Sequence, residues 1–489
     1  MTDAVEPRWE RLHPASFLLR SLETLPQALL GLVGASFAMR GSIVLIAIAA
    51  ATVALLIGFV SWTRFRFAVT DDALRIESGI VSRRRRIIPL DRVQDVDIER
   101  GPLHRLLGLA RARVETGGSD KDEGLLDGVV LVRAIRLREE LRGARTTTEG
   151  ASVDDAPLYR LGEPRLLLAG LLNFSLVYLA ILFSALQTLG PRWGLSIDEL
   201  VEQGNLRASA ESLTSLGGVA TVLAVAVLLG VVTGVARTIL KEWNFALFER
   251  GRSLVRRRGL LTASEVAIAM SRVQAAHLTA GPFMRALRLE ALAVQTLGGG
   301  GGGSGGAQDD GGMQPLVLLG RRDEIDAVLA RAMPATLPDA DAYRRGVRSG
   351  LVVSILKATF AAAFVVALAI PAIALAKNED WAIPIAAIVP LAALVAWLGW
   401  RSHRWHLAAR HVFVRRGWWR RRVSALPLDR AQAVIVRQGP IDRVFGLASV
   451  AIDSAGARWR GGFATPRLVR ADAEHLALNL VALSRAITR

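Results

Sequence analysis

The sequence contains no cysteine, so disulfides and thiolate metal sites are excluded. It has seven histidines, and they are scattered. Only His403 and His406 stand three apart, and no Asp or Glu lies near them; packing or an interfacial contact is expected there. No Gly-x-Ser-x-Gly elbow is present. The glycine tract Gly298–Gly306, with Gly311-Gly312, lacks the Gly-Lys-Ser/Thr of a phosphate cradle and reads as a flexible loop. With no catalytic constellation, no enzyme, no cofactor and no metal are expected. Aromatic residues make up 6% of the chain, too few stacking positions for its basic runs to suggest a nucleic-acid surface.

What is abundant is apolar sequence and positive charge. Of 489 residues, 52% are hydrophobic and 21% charged, with a formal net charge of +17. The apolar residues fall in blocks near the roughly 20 residues that a membrane helix needs. Six are expected as spans, in three hairpin pairs: Leu25–Met39 with Ile43–Trp62, Leu166–Leu189 with Leu216–Ala236, and Leu351–Ala376 with Trp381–Trp400. A second span follows the first at once and no small-residue cleavage site precedes it, which disfavours a signal peptide. With the N-terminus inside, only Arg40, Arg192, Arg207 and Lys377 of the 61 Lys and Arg lie in external loops. Basic flanks such as Arg64, Arg237, Arg348 and Arg401 agree, so a multi-pass inner-membrane protein with both termini cytoplasmic is expected. Lys357, about two turns into its helix, can snorkel to the inner face. The spans hold few ionisable groups, unlike many transport pathways.

Directly after each pair comes the same pattern. Pro89-Leu90-Asp91-Arg92-Val93-Gln94 precedes Gly101-Pro102; Ala269-Met270-Ser271-Arg272-Val273-Gln274 precedes Gly281-Pro282; Pro427-Leu428-Asp429-Arg430-Ala431-Gln432 precedes Gly439-Pro440. Arg and Gly are nine residues apart each time, and a further glycine (Gly79, Gly259, Gly417) stands thirteen before the Arg. Such shared spacing marks an internal repeat. Alternating apolar residues such as Phe65, Phe67 and Val69 predict strands, and the early glycine predicts a hairpin turn with positive φ. A helical stretch after Gly-Pro ends at Gly108 and Gly446 in copies one and three, but at Arg288 in copy two, where a different turn is allowed for. More strands follow, then amphipathic helices near Arg133–Leu141, Arg321–Ala332 and Val469–Ala486. The expected layout is 1–24 cytoplasmic segment, 25–62 first pair, 63–145 first domain, 146–165 linker, and 166–236 second pair with external loop 190–215. It continues with 237–335 second domain, 336–350 linker, 351–400 third pair and 401–489 third domain.

A strand-rich unit closed by a helix and carrying Pro89–Gln94 with Gly101-Pro102, or Pro427–Gln432 with Gly439-Pro440, resembles the second type of bacterial pleckstrin-homology-like (PH-like) domain. Helix pair plus domain, three times, is similar to the YdbT-type membrane proteins. The resemblance implies three PH-like β-barrels, each partly open and capped by a C-terminal helix; it implies no activity. Some relatives are linked to resistance against antimicrobial peptides, so a role in envelope defence is implied only through them.

Two residue sets stand out. Arg92, Arg272 and Arg430 recur at one position, beside Gln94, Gln274 and Gln432, and suit either a phosphate or carboxylate contact or a structural bridge to acids such as Asp91, Asp95 or Asp429. Basic runs recur at each first hairpin: Arg83-Arg84-Arg85-Arg86, Arg256-Arg257-Arg258, and Arg415-Arg416 with Arg420-Arg421-Arg422 around Trp418-Trp419. At the inner membrane face they suit anionic headgroups or a partner, with the tryptophans at the interface; the alternative is a solvated face that only obeys the orientation rule. The expected function is a non-enzymatic membrane scaffold binding a protein, peptide or anionic headgroups. The second reading is a component moving lipid or peptide through the helix bundle.

Overall fold

The structure is a computed structural model, and it describes residues 9–19, 21, 43–79, 83–116, 124–143, 156–172, 216–296, 313–376, 387–455 and 463–488. The expected first span and the glycine tract Gly298–Gly312 lie outside the described residues, as do most of the third span and the loops between paired spans.

Each repeat has the same order of elements. In the first, the helix α1 (Ile43–Arg64) leads into β1 (Arg66–Val69), β2 (Ala73–Ser78) and β3 (Arg84–Pro89). A 3-10 turn at Leu90–Arg92 precedes β4 (Val93–Arg100), the short helix α2 (Pro102–Leu106), β5 (Leu109–Thr116), β6 (Leu125–Val130) and α3 (Leu131–Gly143). The next stretch holds β7 (Tyr159–Arg160), α4 (Glu163–Leu172) and α5 (Leu216–Glu242). The second repeat is β8 (Ala246–Arg250), β9 (Ser253–Arg258), β10 (Ala263–Ala269), β11 (Val273–Ala280), α6 (Pro282–Ala286), β12 (Glu290–Thr296), β13 (Met313–Gly320) and α7 (Arg322–Ala332). After β14 (Arg344–Arg345), α8 (Arg348–Ala376) and α9 (Ile388–Ser402) comes the third. It comprises β15 (Arg404–Leu407), β16 (His411–Arg416), β17 (Arg421–Pro427), β18 (Ala431–Arg437), α10 (Pro440–Val444), β19 (Leu447–Ser454), β20 (Phe463–Ala464), β21 (Leu468–Val469) and α11 (Arg470–Thr488).

The sheets do not follow the repeats. The first three strands form one sheet, β1-β2-β3. The second half of repeat one then joins the first half of repeat two in a seven-stranded sheet, β6-β5-β4-β10-β9-β8-β7. Repeats two and three combine likewise in β13-β12-β11-β17-β16-β15-β14, and β18, β19 and β20 close the series. The joints are antiparallel pairs, β4 on β10 and β11 on β17. The expected linkers contribute to the sheets too. Tyr159 pairs with Leu247 and Arg344 with Trp405, as Glu10 bridges to Phe67 before the first repeat. The chain divides into two compact units, the first mainly residues up to Ala267 and the second mainly Ile268–Arg489.

The repeat's punctuation follows from backbone chemistry. Gly79, Gly259 and Gly417 take φ of 114°, 107° and 86°, as a turn that excludes a Cβ requires. A Cβ on Gly259 or Gly417 would collide with the carbonyl oxygen of Thr262 or Arg420. Pro102, Pro282 and Pro440 each open a five-residue helix at its first position, where a missing N–H costs nothing. The turn that ends this helix has the same form in all three copies. Arg288 takes φ of 55°, beside 67° at Gly108 and 61° at Gly446. A side chain is strained there. Arg288→Gly is therefore expected to raise stability by about 0.5–1 kcal/mol, read from the denaturant midpoint.

Each repeat closes with an amphipathic helix whose buried residues recur at three and four, as one helix face demands. These are Ala134, Leu137 and Leu141 on α3, Ile325, Val328, Leu329 and Ala332 on α7, and Ala473, Leu476, Ala477 and Leu480 on α11. In the first unit, α3 packs on a core that includes Phe67, Leu74, Ile98, Val114 and Leu126. The apolar helices behave differently. Leu56 on α1, Leu228 on α5, Phe360 and Phe364 on α8 and Leu391 on α9 are exposed. Among the described residues one helical stretch, Arg348–Ala367, is long and apolar enough to cross a membrane.

Candidate membrane-facing site

The arginine at the repeat's signature position ends the 3-10 turn in each copy. Arg92 is exposed, and Arg430 meets its neighbour Asp429 at 3.5 Å with both side chains 39% exposed. An exposed pair of that kind contributes little. Gln274 is buried and Gln432 exposed, so the glutamine does not serve one shared contact. Gly101, Gly281 and Gly439 precede the prolines as helix caps in extended conformation. This part of the signature shapes the chain.

The basic hairpins separate into outward and inward groups. Arg83, Arg84 and Arg85 are exposed, with Arg85 reaching Glu77 at 2.7 Å; Arg86 is half-buried. Trp418, Trp419 and Arg420 are exposed at the tip of the third hairpin, where the two indoles meet edge to face at 5.7 Å. The second hairpin corrects the reading of its run as a headgroup face. Arg256 is 1% exposed and points inward. Burial, then the neighbouring Arg258, pushes it down to about 9, against the pull of Glu242, Asp97 and Glu99. It remains a cation at neutral pH. Arg258 donates Nη1 to both carboxylate oxygens of Glu242, at 2.8 and 3.0 Å, and Arg257 pairs with Glu265. In the third hairpin Arg421 is paired with Glu290 at 2.6 Å, and Arg415 and Arg422 are half-buried. Arg416 donates to Ala464 O and to His403 Nε2. Charge runs read as solvated faces, and nothing in a linear run distinguishes a strand's inner residues from its outer ones unless the register is known.

What sequence reading missed lies next to these hairpins. The short helix after Gly-Pro exposes large apolar side chains in every repeat: Leu103 and Leu106 on α2, Phe283 and then Leu287 at α6, Val444 and then Phe445 at α10. Leu106 is 81% and Val444 83% exposed. Each also carries an arginine at one position, Arg105, Arg285 or Arg443. Arg105 donates to Leu260 O at the tip of the second hairpin, where Leu260 and Leu261 are exposed. Arg285 donates to Trp418 O and Trp419 O at 3.1 and 3.2 Å. So a short apolar helix is pinned beside an apolar hairpin tip at both joints. The available signal was large apolar residues on both sides of one arginine in the stretch after each Gly-Pro.

The second repeat's tip and the third repeat's short helix are each fixed to the foot of an apolar helix. The backbone N–H groups of Gly259 and Leu260 bond to Trp243 O and Leu240 O, at the end of α5. On α8, Lys357 donates Nζ to Asp442 of α10 at 2.8 Å, a partner the sequence did not reveal. Arg467 donates to the same carboxylate at 2.7 Å and to Ser354 Oγ at 2.8 Å. Burial works against the Asp442 carboxylate, but these two hydrogen bonds hold it below the ordinary range. Beside them is a cleft of about 440 Å³ between α8 and α9, lined by Ser354, Lys357, Trp400, His403 and Arg467 among others. Its two cations face one carboxylate, which leaves it net positive. His403 and His406 hold structural contacts here, His406 Nδ1 lying 3.0 Å from Ala342 O.

The Bacterial PH domain family model matches three stretches, residues 20–145, 211–330 and 352–484, which together make up more than half of the chain. The chain belongs to the bacterial PH domain family. Each matched stretch takes in a PH repeat together with apolar sequence before it. The chain is also similar to the UPF0699 transmembrane protein YdbT of Bacillus subtilis (strain 168), 22% identical over 326 residues. That alignment covers 60% of this chain and 63% of the relative, so the chain spans somewhat less than two thirds of it. No solved structure matches. In this PH array the Gly-Pro of each repeat opens a short helix, and exposed apolar and basic side chains stand on those helices and on the hairpin tips.

Proposed function

We propose that the chain is a non-enzymatic scaffold of the inner membrane. Six spans carry the three PH repeats on the cytoplasmic face, and the apolar knuckles contact anionic lipid headgroups. The observation that carries this reading is the recurrence of exposed apolar residues beside an arginine on all three short helices. Large apolar side chains left in water are informative because folding ordinarily covers them. The exposed apolar faces of α1, α5, α8 and α9 support the spans, since hydrocarbon is the solvent that suits them. The Lys357–Asp442 bond supports the depth, because it ties α10 to a turn of Arg348–Ala367, the one stretch among the described residues long enough to cross. At that level an aromatic or aliphatic knuckle meets the acyl boundary, and cations such as Arg83, Arg84 and Arg420 meet phosphates. Each arginine there contributes about 1 kcal/mol at low salt.

The absence of native cysteine permits a direct test. Leu106→Cys and Val444→Cys are each labelled with the environment-sensitive fluorophore NBD, in the full chain reconstituted into nanodiscs. The account predicts blue-shifted emission and protection from aqueous iodide with anionic lipid, and weaker protection in phosphatidylcholine alone. Fully quenched emission in both lipids contradicts it. The transport reading would require a continuous polar path between helix pairs, and the charged cleft at α8 and α9 serves as well for a bound headgroup.

A further inference from the structure

Among the described residues, the strands that make the two joints have counterparts in the first and third repeats that lie at a sheet edge, and the two finished joints show what fits them. At the first joint Arg100 lies opposite Ala263; at the second Ala280 lies opposite Arg421. Measured within the repeat, these are the same pair. Arg100 and Ala280 each stand eight residues after the signature arginine of their own repeat, Arg92 and Arg272. Ala263 and Arg421 each stand nine before the signature arginine of the next, Arg272 and Arg430. The joint is therefore a property of the repeat, with one fixed register.

The series leaves β18 of repeat three and β3 of repeat one as edges of their sheets among the described residues. They are the counterparts of the joined strands β4 and β11 on one side, and β10 and β17 on the other. Their exposure reflects this. Every residue of β11 except Thr279 is buried, whereas on β18 Ile435 and Val436 are exposed, each at 39%. On β3, Ile87 is 64% exposed, while Ala425, which holds the matching position on β17, is fully buried. An open apolar edge is a template for strand addition, and proteins usually blunt one with charge. Arg84 of β3 does not serve that purpose, because Arg422 of β17 sits at the same place and pairs with Thr279. The knuckle arginine repeats the pattern. Arg105 and Arg285 each clamp the hairpin tip of the next repeat, while Arg443, their counterpart on α10, is exposed.

We propose that a second copy of this chain occupies these edges, with β18 of one copy pairing head to tail on β3 of the next. The repeat's own register puts Ile435 opposite Arg86 and Val434 opposite Ile87. A joined pair then keeps one free edge of each kind, so the contact propagates into a ring or a row. The two edges of the repeat are complementary to each other rather than to themselves, which is why the partner is argued to be another copy joined head to tail and not a symmetric pair.

Directly opposed residues in an antiparallel pair have Cα atoms within reach of a disulfide. Two preparations in membranes therefore test the contact, one carrying Ile435→Cys and the other Arg86→Cys, with tags of different size. Copper-phenanthroline oxidation of the mixed copies is expected to give a heterodimer several-fold more abundant than either homodimer. Val436→Cys with Arg86→Cys, out of register and on the opposite face, is expected to give little. No heterodimer above the homodimer level overturns the proposal. So does a chain carrying both Ile435→Cys and Arg86→Cys that cross-links only within itself, because the edges then close without a second copy. Equal cross-linking from Val436→Cys overturns the register, and the joint rule with it.

Discussion

Replacing Arg256 by Ala is expected to destabilise the first unit by about 3–5 kcal/mol, the cost of removing one side of a buried charge cluster. Arg256 and Arg258 neutralise most of a set that includes Glu242, Asp97 and Glu99, all three buried. Without Arg256 those carboxylates stay in a low-dielectric setting with one cation fewer. The lost volume adds a cavity to this penalty. The two contributions separate experimentally. Arg256→Met fills most of the space and restores no charge. If electrostatics dominates, Met is nearly as harmful as Ala; if packing dominates, Met recovers most of the loss. Urea denaturation of the reconstituted chain, followed by protease sensitivity of the first unit, reads both. A change below about 1 kcal/mol for Arg256→Ala would contradict the assignment.

Acid is expected to loosen the second unit before its carboxylates titrate. His277 is buried, with Nδ1 2.9 Å from Ser424 Oγ, at the joint between repeats two and three. Burial pushes it down to about 4, against a hydrogen bond with Gln295 and with help from Arg422. His403 is pushed down to about 3, by burial first and then by Arg416. In the unfolded chain both titrate near 6.5. The unfolded state thus binds more protons at mildly acidic pH, and stability falls as pH falls. The contribution of both groups is fully present above about 6.5 and is lost progressively toward 4 for His277 and toward 3 for His403. Between pH 7 and pH 4.5 the loss for the two groups together is on the order of 5 kcal/mol. Thermal melts at constant ionic strength should show a falling Tm, and the double variant His277→Gln, His403→Gln should flatten the slope. A melt independent of pH down to 4.5 would remove both assignments.

The parts of the fold visible in the sequence are those that a single residue determines. The hairpin glycines, the proline at the start of each short helix and the closing amphipathic helices follow from local chemistry and stand where spacing puts them. The shared sheets were not visible. A strand's sequence carries the same alternation whether its neighbour belongs to its own repeat or to the next, so β10 and β17 could be recognised as strands but not assigned to a sheet. For the same reason the basic hairpins were misjudged in part. Arg256 lies in a run of three arginines, yet the strand's pleat sends it inward toward Glu242 while Arg257 stays at the surface. Arg288 shows the opposite case: a residue unsuited to a left-handed turn occupies it because the helix before and the strand after leave no other path. Strand sharing also means that one excised repeat would lose half of its sheet partners, so tests belong on the whole chain.

The central claim is that the repeats lie together on the cytoplasmic side of a multi-span protein. Single cysteines at exposed positions of the three closing helices, Glu139→Cys, Asp323→Cys and Asp472→Cys, test it directly with a membrane-impermeant maleimide on intact spheroplasts. The account predicts no labelling at any of the three until the membrane is permeabilised, and full labelling afterwards. Labelling of even one position in intact spheroplasts would put that repeat outside and contradict the arrangement.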